Sequence, residues 1–457
     1  PAADEHFSGP DHVARLVQVV DGLGSTDPGV VDARHRQLCD HWSEACGQIQ
    51  ERSRRAAETV LVAGYERHGA EILRLIDGSV RQLVLGNPWI SFEALIRPQP
   101  GSKDSWFDVL ERALARGVQV FLLWGIGGDD TLHERVRNAL VDLSSRHAGR
   151  LVFSRRSSSI HAKFVVRDAH EALITSFNFL QPSPVEDSVE LGALVRAREP
   201  DTGPAAVHDL LVWSKNAFPD YFAAQRILTV AHDFGAAEPR PVEVPPVPEL
   251  PPAAVRSIAD GRPSPEIVHW EQAWRATAAH MQRLLDTSAP EIVDLLIDRD
   301  HRALLWQALN DSRARLAVLS DRLGVDVVTD RFVRALRKRL DEGVPCVFLY
   351  RREGVSDRED GPASRLRQEA TRAAPLCRLV EAMSHAKVLI TDDEVAIGSF
   401  NFLSYGGDYA GHGRERAELS FRIRSADVVE QVLSLLDTRW PDAFAPLRGR
   451  NAAPAPA

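Results

Sequence analysis

The chain has 457 residues, 44% of them hydrophobic and 26% charged, and its formal net charge is −9. A chain of this length and composition is expected to form two or three globular domains. The acidic total argues against a generally basic, non-specific nucleic-acid binder, although a local basic groove remains compatible with it. No apolar run approaches the roughly 20 residues that span a bilayer, and no secretory pattern is present. Sparse use of cysteine, four in the whole chain, predicts a reducing, cytoplasmic compartment without disulfides.

Residues 1–60 are predicted to be mainly helical. Apolar side chains recur at mostly helical spacing over residues 30–54, and the second half of the chain has no counterpart of the same quality. His35, Cys39 and Cys46 lie on this predicted helix. They are compatible with a zinc site, but a buried helix face is the favoured interpretation. We therefore expect an accessory helical region packed on the first domain, and no bound metal.

Residues 61–235 are predicted to form a first α/β domain, because helical and strand-like patterns alternate along them. Gly117 is expected to cap one of its helices. A proline-rich stretch, residues 236–265, is interpreted as a semi-rigid linker. Residues 266–457 repeat the order of elements of the first domain. This internal repeat predicts a second α/β domain of the same kind.

A short motif occurs once in each of these domains. The first copy, H-A-K-F-V-V-R-D, runs from His161 to Asp168, and the second, H-A-K-V-L-I-T-D, runs from His385 to Asp392. Each copy is followed, after a short apolar run, by S-F-N-F-L. Because alternate residues of a strand face the same side, each His and the Lys two positions later should share one face. The repeat of the whole pattern indicates function far more strongly than a single copy would.

The paired motifs resemble those of the phospholipase D superfamily, whose members hydrolyse or transfer phosphodiesters. The resemblance implies two phospholipase D-like α/β sandwich domains related by an internal repeat, with an N-terminal helical region. It also implies a metal-independent reaction through a phosphohistidine intermediate, without a cofactor. The alternative is a duplicated β-hairpin whose polar groups are all satisfied, but that would not explain why the surrounding elements repeat as well.

Cleavage of a phosphodiester without a metal needs a nucleophile on one side of phosphorus and a proton donor on the other. Two imidazoles meet this need because histidine titrates near neutral pH. We therefore expect the two halves to share one pocket, which a monomer can complete, and the sequence does not say which histidine attacks. The resemblance assigns catalytic roles to His161, Lys163, Asp168, His385, Lys387 and Asp392, and phosphate binding to Ser176, Asn178, Ser399 and Asn401.

Each histidine also needs an acceptor at its second ring nitrogen, which fixes its tautomer. Glu190 and Glu418, on the strand after each S-F-N-F-L, are the first candidates for this orienting role. Asp168 and Asp392 are alternatives; otherwise they stabilise a turn. These two possibilities stay open at the level of sequence.

Two further features bear on the shape of the pocket. Thr175 stands where the second copy has Gly398, so the first side of the pocket is expected to be narrower. Trp89 and Trp124 follow predicted strand ends and could stack on a base or an acyl chain, although packing in the core is favoured.

Several arginines are predicted to line a groove that follows a phosphate backbone. They are Arg155, Arg156, Arg351 and Arg352, with a Gly-, His- and Arg-containing rim loop at residues 406–416. The segment Gly398 to Gly406 also resembles bacterial phospholipase D-like nucleases, including members attached to phage-defence systems. The sequence therefore predicts a nuclease acting on DNA or RNA. A phospholipase or cardiolipin-synthase-like phosphatidyl transferase is the alternative, and intact motifs disfavour a catalytically silent binding module.

Overall fold

The computed structural model describes residues 11–23, 28–99, 102–127, 130–153, 157–181, 188–198, 203–217, 241–252, 264–287, 291–353, 361–404 and 416–447. The helices, in chain order, are α1 (His12–Asp21), α2 (Pro28–Arg54), α3 (Tyr65–Asp77), α4 (Phe92–Ile96), α5 (Trp106–Ala115), α6 (Glu134–Arg146), α7 (Ala205–Ala217), α8 (Pro265–Thr287), α9 (Arg299–Asp311), α10 (Asp330–Asp341), α11 (Pro362–Arg372) and α12 (Ala426–Arg439). A short 3-10 helix covers Ala445–Leu447.

The strands, in chain order, are β1 (Glu58–Ala63), β2 (Gln82–Asn87), β3 (Gln119–Trp124), β4 (Leu151–Phe153), β5 (Lys163–Arg167), β6 (Glu171–Thr175), β7 (Leu191–Arg196), β8 (Ile292–Ile297), β9 (Leu316–Leu323), β10 (Cys346–Glu353), β11 (Cys377–Glu381), β12 (Val388–Thr391), β13 (Glu394–Gly398) and β14 (Leu419–Arg424). The chain separates into two compact units, one from residues 1–56 and 238–292 and the other from residues 57–237 and 293–457.

The smaller unit is built around helices α1, α2 and α8, which bury Leu16, Leu38 and Trp274 in one core. Residues 241–252 run along these helices, and the indole Nε1 of Trp42 donates to the carbonyl of Pro245 at 3.0 Å. The predicted boundaries divide the chain differently. They place 241–252 in a linker and α8 in the second α/β domain, whereas here both pack with the N-terminal helices because their apolar side chains complete that core.

The candidate zinc ligands also lie in this helical unit. Sγ of Cys39 is 3.6 Å from Nε2 of His35, and the His35 ring packs against Trp270 and Trp274. Within the ranges that the structure describes, no group of three His, Cys, Asp or Glu side chains is arranged to hold a metal ion. The same ranges contain no helix that is both long enough and apolar enough to cross a membrane.

The larger unit contains two seven-stranded sheets with the same strand order. The first runs β1-β7-β6-β5-β2-β3-β4, and the second, read in the matching direction, runs β8-β14-β13-β12-β9-β10-β11. In each sheet the strands at one end pair in parallel, β2-β3-β4 and β9-β10-β11, and the motif strands pair antiparallel. The structure therefore confirms the predicted α/β fold with an internal repeat.

The two sheets share a hydrophobic core at the level of the motifs. Phe164 and Val195 from the first sheet belong to the same buried cluster as Val388 and Phe421 from the second. Gly86 on β2 makes room for this core, since a Cβ at that position would lie 2.2 Å from the Phe164 ring. Because the apolar faces meet here, both motifs are brought to one place.

Corresponding helices of the two halves begin and end with similar caps. Helix α5 begins with a capping box between Ser105 and Asp108 and ends at Gly117, whose φ is +95°. The matching helix α10 begins with a cap by Thr329 and is followed by Gly343 at φ +83°. Glycine takes this left-handed conformation without strain, so the predicted cap at Gly117 is confirmed.

Candidate active site

The two motif histidines each bond a glutamate from the other half of the chain. Nδ1 of His161 lies 2.8 Å from Oε1 of Glu418, and Nδ1 of His385 lies 2.9 Å from Oε1 of Glu190. A carboxylate only accepts hydrogen bonds, so each histidine donates through Nδ1 and keeps Nε2 for a substrate. Each glutamate accepts from a histidine, but from the histidine of the other repeat: Glu418 contacts His161, and Glu190 contacts His385.

Backbone hydrogen bonds make the same exchange. The amides of His161 and of the next residue both donate to the carbonyl of Ala417, at 2.8 and 3.0 Å. The amides of His385 and of the next residue both donate to the carbonyl of Val189, at 2.9 Å. Ala417 and Val189 directly precede the two glutamates, so the backbone keeps each histidine in register with the glutamate it bonds.

The two motif lysines lie beside their histidines, as the strand spacing predicts. Nζ of Lys163 donates to the carbonyl of His161 at 2.6 Å, and Nζ of Lys387 donates to the carbonyl of His385 at 2.7 Å. Both lysines are fully buried. An ammonium group has three donors, so each lysine has further N–H groups for an anionic ligand.

The two motif serines bond the glutamates. Oγ of Ser176 donates to Oε2 of Glu190 and accepts from the amide of Leu191. Ser399 makes the corresponding bonds with Glu418 and with the amide that follows it. A hydroxyl has one hydrogen to donate, and here each serine gives it to the second oxygen of a glutamate. Phosphate binding by Ser176 and Ser399 stays a prediction.

The two motif asparagines have different surroundings. Oδ1 of Asn401 accepts from the amide of Asp321 at 3.1 Å, whereas Oδ1 of Asn178 is buried without a hydrogen-bond partner in the structure. Strand register matches Asp321 to Pro88 in the first half. Proline has no N–H, which explains why Asn178 lacks this donor. Because the oxygen of Asn401 is fixed, its amide nitrogen is left to donate to a ligand.

The two motif aspartates hold a helix-to-strand turn. The carboxylate of Asp168 accepts from three successive amides, those of residues 80–82, at 3.1, 2.8 and 2.9 Å. Asp392 accepts from the amides of residues 313–315 at 3.0, 2.7 and 3.2 Å. Both aspartates have a φ of +50°, which Asp tolerates better than most residues. Their carboxylates are used in these turns, which agrees with the turn-stabilising alternative, and a catalytic role for Asp168 and Asp392 stays a prediction.

Burial and neighbouring charges set the protonation of the site. Burial would raise the pKa of Glu190, but His385 and Lys387 lower it to about 2, and His161 is the main group that lowers the pKa of Glu418 to about 2. Burial lowers the pKa of His161 to about 3 and also lowers the pKa of His385. At neutral pH the free protein thus holds two ionised glutamates beside two neutral imidazoles.

The lysines lose basicity for the same reason. Burial lowers the pKa of Lys387 to about 8, although Glu190 and Asp321 act to raise it. Burial first, and the Lys387 ammonium second, hold the pKa of Lys163 well below its usual value. A bound anion would favour the charged form of both groups, so the positive charge of the site depends on occupancy and on pH.

Two charged contacts were not predicted from sequence. Nε of Arg416 lies 3.5 Å from the same Oε1 of Glu418 that holds His161. In the second half, Arg351 binds the buried carboxylate of Asp321 at 2.5 Å. The sequence pointed to the segments that carry both arginines, but no spacing rule indicates which carboxylates they meet.

The predicted arginine groove is only partly covered by the structure. Arg155, Arg156 and most of the rim loop at 406–416 lie outside the described residues, as does the side chain of Arg352. Arg351 is described, and its guanidinium is held by a carboxylate. A basic groove therefore stays a prediction.

An exposed aromatic side chain stands beside one of the two histidines. Trp89 meets His161 edge-on, with ring centroids 5.9 Å apart and planes at 85°, and it is 37% exposed. Strand register places Arg322, with a side chain 53% exposed, at the same position of the second half. The two corresponding positions thus carry different side chains, an aromatic one in the first half and a charged one, paired with Asp321, in the second. Trp124, by contrast, is buried in the core.

Thr175 was expected to narrow the pocket, but its side chain contacts the buried His68. It is fully buried, and its Oγ1 lies 2.7 Å from Nε2 of His68. In the second half the position is Gly398, where a Cβ would lie 2.2 Å from Oγ of Ser420. The difference between the two copies therefore concerns packing behind the site.

No protein-family model and no curated protein matches the chain. Among solved structures, polyphosphate kinase from Porphyromonas gingivalis aligns with 84% of the chain at 14% identity and a TM-score of 0.46. Phosphatidylserine synthase from Haemophilus influenzae Rd KW20 aligns with 87% of the chain and 91% of its own length, at 11% identity and a TM-score of 0.49. A phospholipase D family member, Nuc from Salmonella typhimurium, aligns with 33% of the chain and 94% of its own length, at 18% identity and a TM-score of 0.26.

The chain spans about half, 51%, of the length of the polyphosphate kinase. Likeness at this level says nothing about substrate. In its motifs and its repeated α/β fold, this chain resembles the phospholipase D superfamily. The cluster described above brings together His161, Lys163, Glu190, His385, Lys387 and Glu418 from both halves.

The turn role of the aspartates can be separated from catalysis by substitution. Asp168→Ala should lower the free energy of unfolding by about 1–3 kcal/mol, because three amides, that of buried Gln82 among them, lose their acceptor. Turnover per folded molecule should stay within about twofold of the unsubstituted protein, as for surface changes away from a site. Denaturant titration and kcat measure the two effects, with exposed Asp393→Ala as the control. A large loss of kcat at unchanged stability would restore the catalytic interpretation.

The lysine pKa values predict how anion binding depends on pH. Sulfate, which does not titrate in this range, should bind most tightly below pH 8 and progressively less tightly above it, because Lys387, with a pKa of about 8, loses its proton there. One linked proton gives up to about a tenfold change in Kd per pH unit. Calorimetry at constant ionic strength measures this. Lys387→Met should remove the inflection and exposed Lys338→Met should keep it; a flat profile in the unsubstituted protein would contradict the assignment.

Proposed function

We propose that this chain is a metal-independent phosphodiesterase that cleaves nucleic acid through a phosphohistidine intermediate. The observation that carries the proposal is the crossed pair of Glu–His contacts, at 2.8 and 2.9 Å. Each glutamate fixes one imidazole with Nδ1 protonated, so two Nε2 atoms become available for the same reaction. Two buried lysines lie beside them, and their charge suits an anionic phosphorus centre.

In the first step, one neutral imidazole attacks phosphorus through Nε2. An N–P bond forms as the P–O bond to the leaving oxygen breaks, and the second imidazole, in its protonated form, gives its Nε2 proton to that oxygen. The substrate anion raises the pKa of this second histidine and so favours its protonation. Lys163 and Lys387 neutralise the charge on the non-bridging oxygens.

In the second step, the second imidazole is neutral and takes a proton from water. The water oxygen forms a P–O bond, the N–P bond breaks, and its electron pair returns to the first imidazole. The products are an alcohol and a phosphomonoester, and the second histidine is protonated again for the next cycle. One histidine thus acts as nucleophile and the other as acid, then base.

The unequal charges around the two histidines favour one assignment. Arg416 contacts the glutamate that holds His161 and adds to the groups that lower the pKa of His161. Among the described residues, no arginine makes the matching contact with Glu190. We therefore assign His161 as the nucleophile, because Arg416 adds to the charges that keep its imidazole neutral, and His385 as the proton donor.

A nucleic-acid substrate is supported by the unequal side chains at the two sides of the site. Trp89, exposed beside His161, offers a face on which a base can stack. In the second half, Arg322 stands in its place and offers a charge for the next phosphate of a strand. A strand that crosses the site would meet both features in turn. A role in phage defence rests on the resemblance of the segment Gly398 to Gly406 alone and is part of the same proposal.

One observation favours a lipid substrate as the second candidate. Met383, two residues before His385, is 45% exposed, and Trp89 beside His161 is 37% exposed. Two exposed apolar side chains near the reacting groups are also what an acyl-bearing substrate would contact. A phospholipase or cardiolipin-synthase-like phosphatidyl transferase is therefore kept as the alternative.

Substitution of either histidine should stop turnover. His161→Ala or His385→Ala alone should lower kcat by about a thousandfold or more, since each performs a separate proton or bond transfer. His280→Ala, an exposed histidine on α8, is the matched control and should leave kcat unchanged. Near-normal activity in either single variant would disprove a shared site.

A leaving group that needs no proton identifies the nucleophile. With bis(p-nitrophenyl) phosphate, His385→Ala should release one equivalent of p-nitrophenolate and then stall, because no base remains to activate water. Mass spectrometry of the stalled protein should find the phosphoryl adduct on His161. An adduct on another residue, or none after release, would reject the assignment.

Activity should survive chelation, because the lysines supply the positive charge that a metal would otherwise provide. Turnover after dialysis against excess EDTA is expected to match that of the untreated protein. Loss of turnover that a divalent ion restores would overturn the metal-independent mechanism.

The substrate class is tested by a parallel assay on single- and double-stranded DNA, RNA and phosphatidyl lipids. We expect cleavage of nucleic acid that is lost in His385→Ala. Trp89→Ala should raise KM by about tenfold, because roughly 1–3 kcal/mol of stacking is lost. Trp89→Phe, which keeps a ring, is the matched control. Histidine-dependent lipid cleavage without nucleic-acid cleavage would reject the nuclease.

A further inference from the structure

Each half contains a second, fully buried histidine that the proposed reaction does not use. His68 on α3 and His301 on α9 are both 0% exposed. Nδ1 of His68 lies 2.7 Å from the carbonyl of Gly64, and Nδ1 of His301 lies 2.9 Å from the carbonyl of Asp298. A carbonyl only accepts, so each Nδ1 carries the hydrogen and each Nε2 is an acceptor. Burial lowers the pKa of both histidines and keeps them neutral.

The hydroxyl that donates to Nε2 comes from a different strand in each half. For His68 it is Thr175 on β6, at 2.7 Å. For His301 it is Ser420 on β14, at 2.8 Å. These two strands do not correspond in the repeat, since β14 matches β7 and not β6. The same bond is therefore made by residues at different positions in the two halves.

Packing explains why the hydroxyl occupies only one of the two positions. Thr175 pairs across the sheet with Gly192, and Gly398 pairs with Ser420. A Cβ at Gly192 would lie 2.9 Å from Cβ of Thr175, and a Cβ at Gly398 would lie 2.2 Å from Oγ of Ser420. Space therefore exists for a single side chain between the facing positions, and each half fills a different one.

In the first half these contacts close a loop of hydrogen bonds behind the orienting glutamate. Gly64, whose carbonyl holds His68, donates its amide to the carbonyl of Glu190 at 3.2 Å. Thr175, at the other end of the His68 ring, directly precedes Ser176, whose hydroxyl holds Oε2 of Glu190. The buried histidine thus connects the two backbone segments that fix this glutamate.

The second half closes the loop with different residues. The amide of Asp298 donates to the carbonyl of Glu418 at 3.1 Å, and Oδ1 of Asp298 accepts from the amide of Glu418 at 2.9 Å. Ser420, bonded to His301, lies two residues after this glutamate on the same chain segment. The two halves reach one arrangement by separate routes.

We propose that these two buried histidines are positioning residues for the reaction proposed above, on which this inference rests. Each fixes the backbone behind one glutamate and so fixes how that glutamate holds a reacting histidine. Because the glutamates are exchanged between the halves, His68 acts on His385. By the same exchange, His301 acts on His161.

The first test removes one hydroxyl and keeps its shape. Thr175→Val should lower kcat for bis(p-nitrophenyl) phosphate by about 10- to 100-fold, as loss of a group that orients a reacting side chain does, with little change in KM. Thr175→Ser keeps the hydroxyl and should retain kcat. A Thr175→Val protein that is folded and has normal kcat would overturn the proposal.

The second test transfers the arrangement of one half to the other. Thr175→Gly should lose kcat, and the double variant Thr175→Gly with Gly192→Ser should recover it, since the hydroxyl then comes from the facing strand as in the second half. A folded double variant without recovery would contradict the proposal. If the double variant does not fold, the Thr175→Val and Thr175→Ser pair decides the matter alone.

A third measurement does not need turnover. Nitrogen NMR of labelled histidine should show His385 with Nδ1 protonated in the unsubstituted protein and a mixture of tautomers in Thr175→Val. Ser420→Ala should disturb His161 instead, and unchanged tautomers in both variants would reject the proposal. If the unsubstituted protein cleaves no phosphodiester, the proposed function fails, and these spectra alone judge the positioning role.

Discussion

The site depends on the hydrogen bond between Nδ1 of each motif histidine and a glutamate from the opposite repeat. These bonds hold two buried carboxylates whose pKa burial would raise. The histidines, together with Lys387 for Glu190 and Arg416 for Glu418, lower that pKa. A half of the chain on its own would hold a glutamate without its histidine and a histidine without its acceptor. The exchange explains why the two sheets share one core and why the motif is duplicated within one chain.

Duplication also permits the two halves to differ where chemistry needs them to. Pro88 in the first half cannot supply the amide that Asp321 supplies in the second, so the two asparagines meet different partners. The same register puts Trp89 near one histidine and Arg322 in the matching place. These differences favour one histidine as nucleophile and the other as acid, although two coupled histidines titrate in two steps even where their surroundings are alike.

Much of the fold could be predicted from sequence because it follows from local patterns. Alternation placed His161 and Lys163 on one face, apolar runs marked the buried strands, and Gly117 marked a helix end. The exchange of glutamates could not be predicted, since it depends on how two sheets pack. For a related reason, the sequence left two possible roles open for Asp168 and Asp392. A carboxylate that caps three amides and one that orients a histidine have the same signature in sequence.

The placement of α8 shows that the order of elements along the chain does not by itself give the domain boundaries. A proline-rich segment indicates a boundary, but residues 241–252 bury apolar side chains against helices that are far away in sequence. His68 and His301 occupy corresponding positions in the two repeats, but nothing in the sequence indicates what these histidines do. Both histidines keep a hydroxyl at Nε2, although Thr175 and Ser420 come from different strands. Each half therefore keeps a hydroxyl bonded to its buried histidine, and in each half that contact lies directly behind a glutamate.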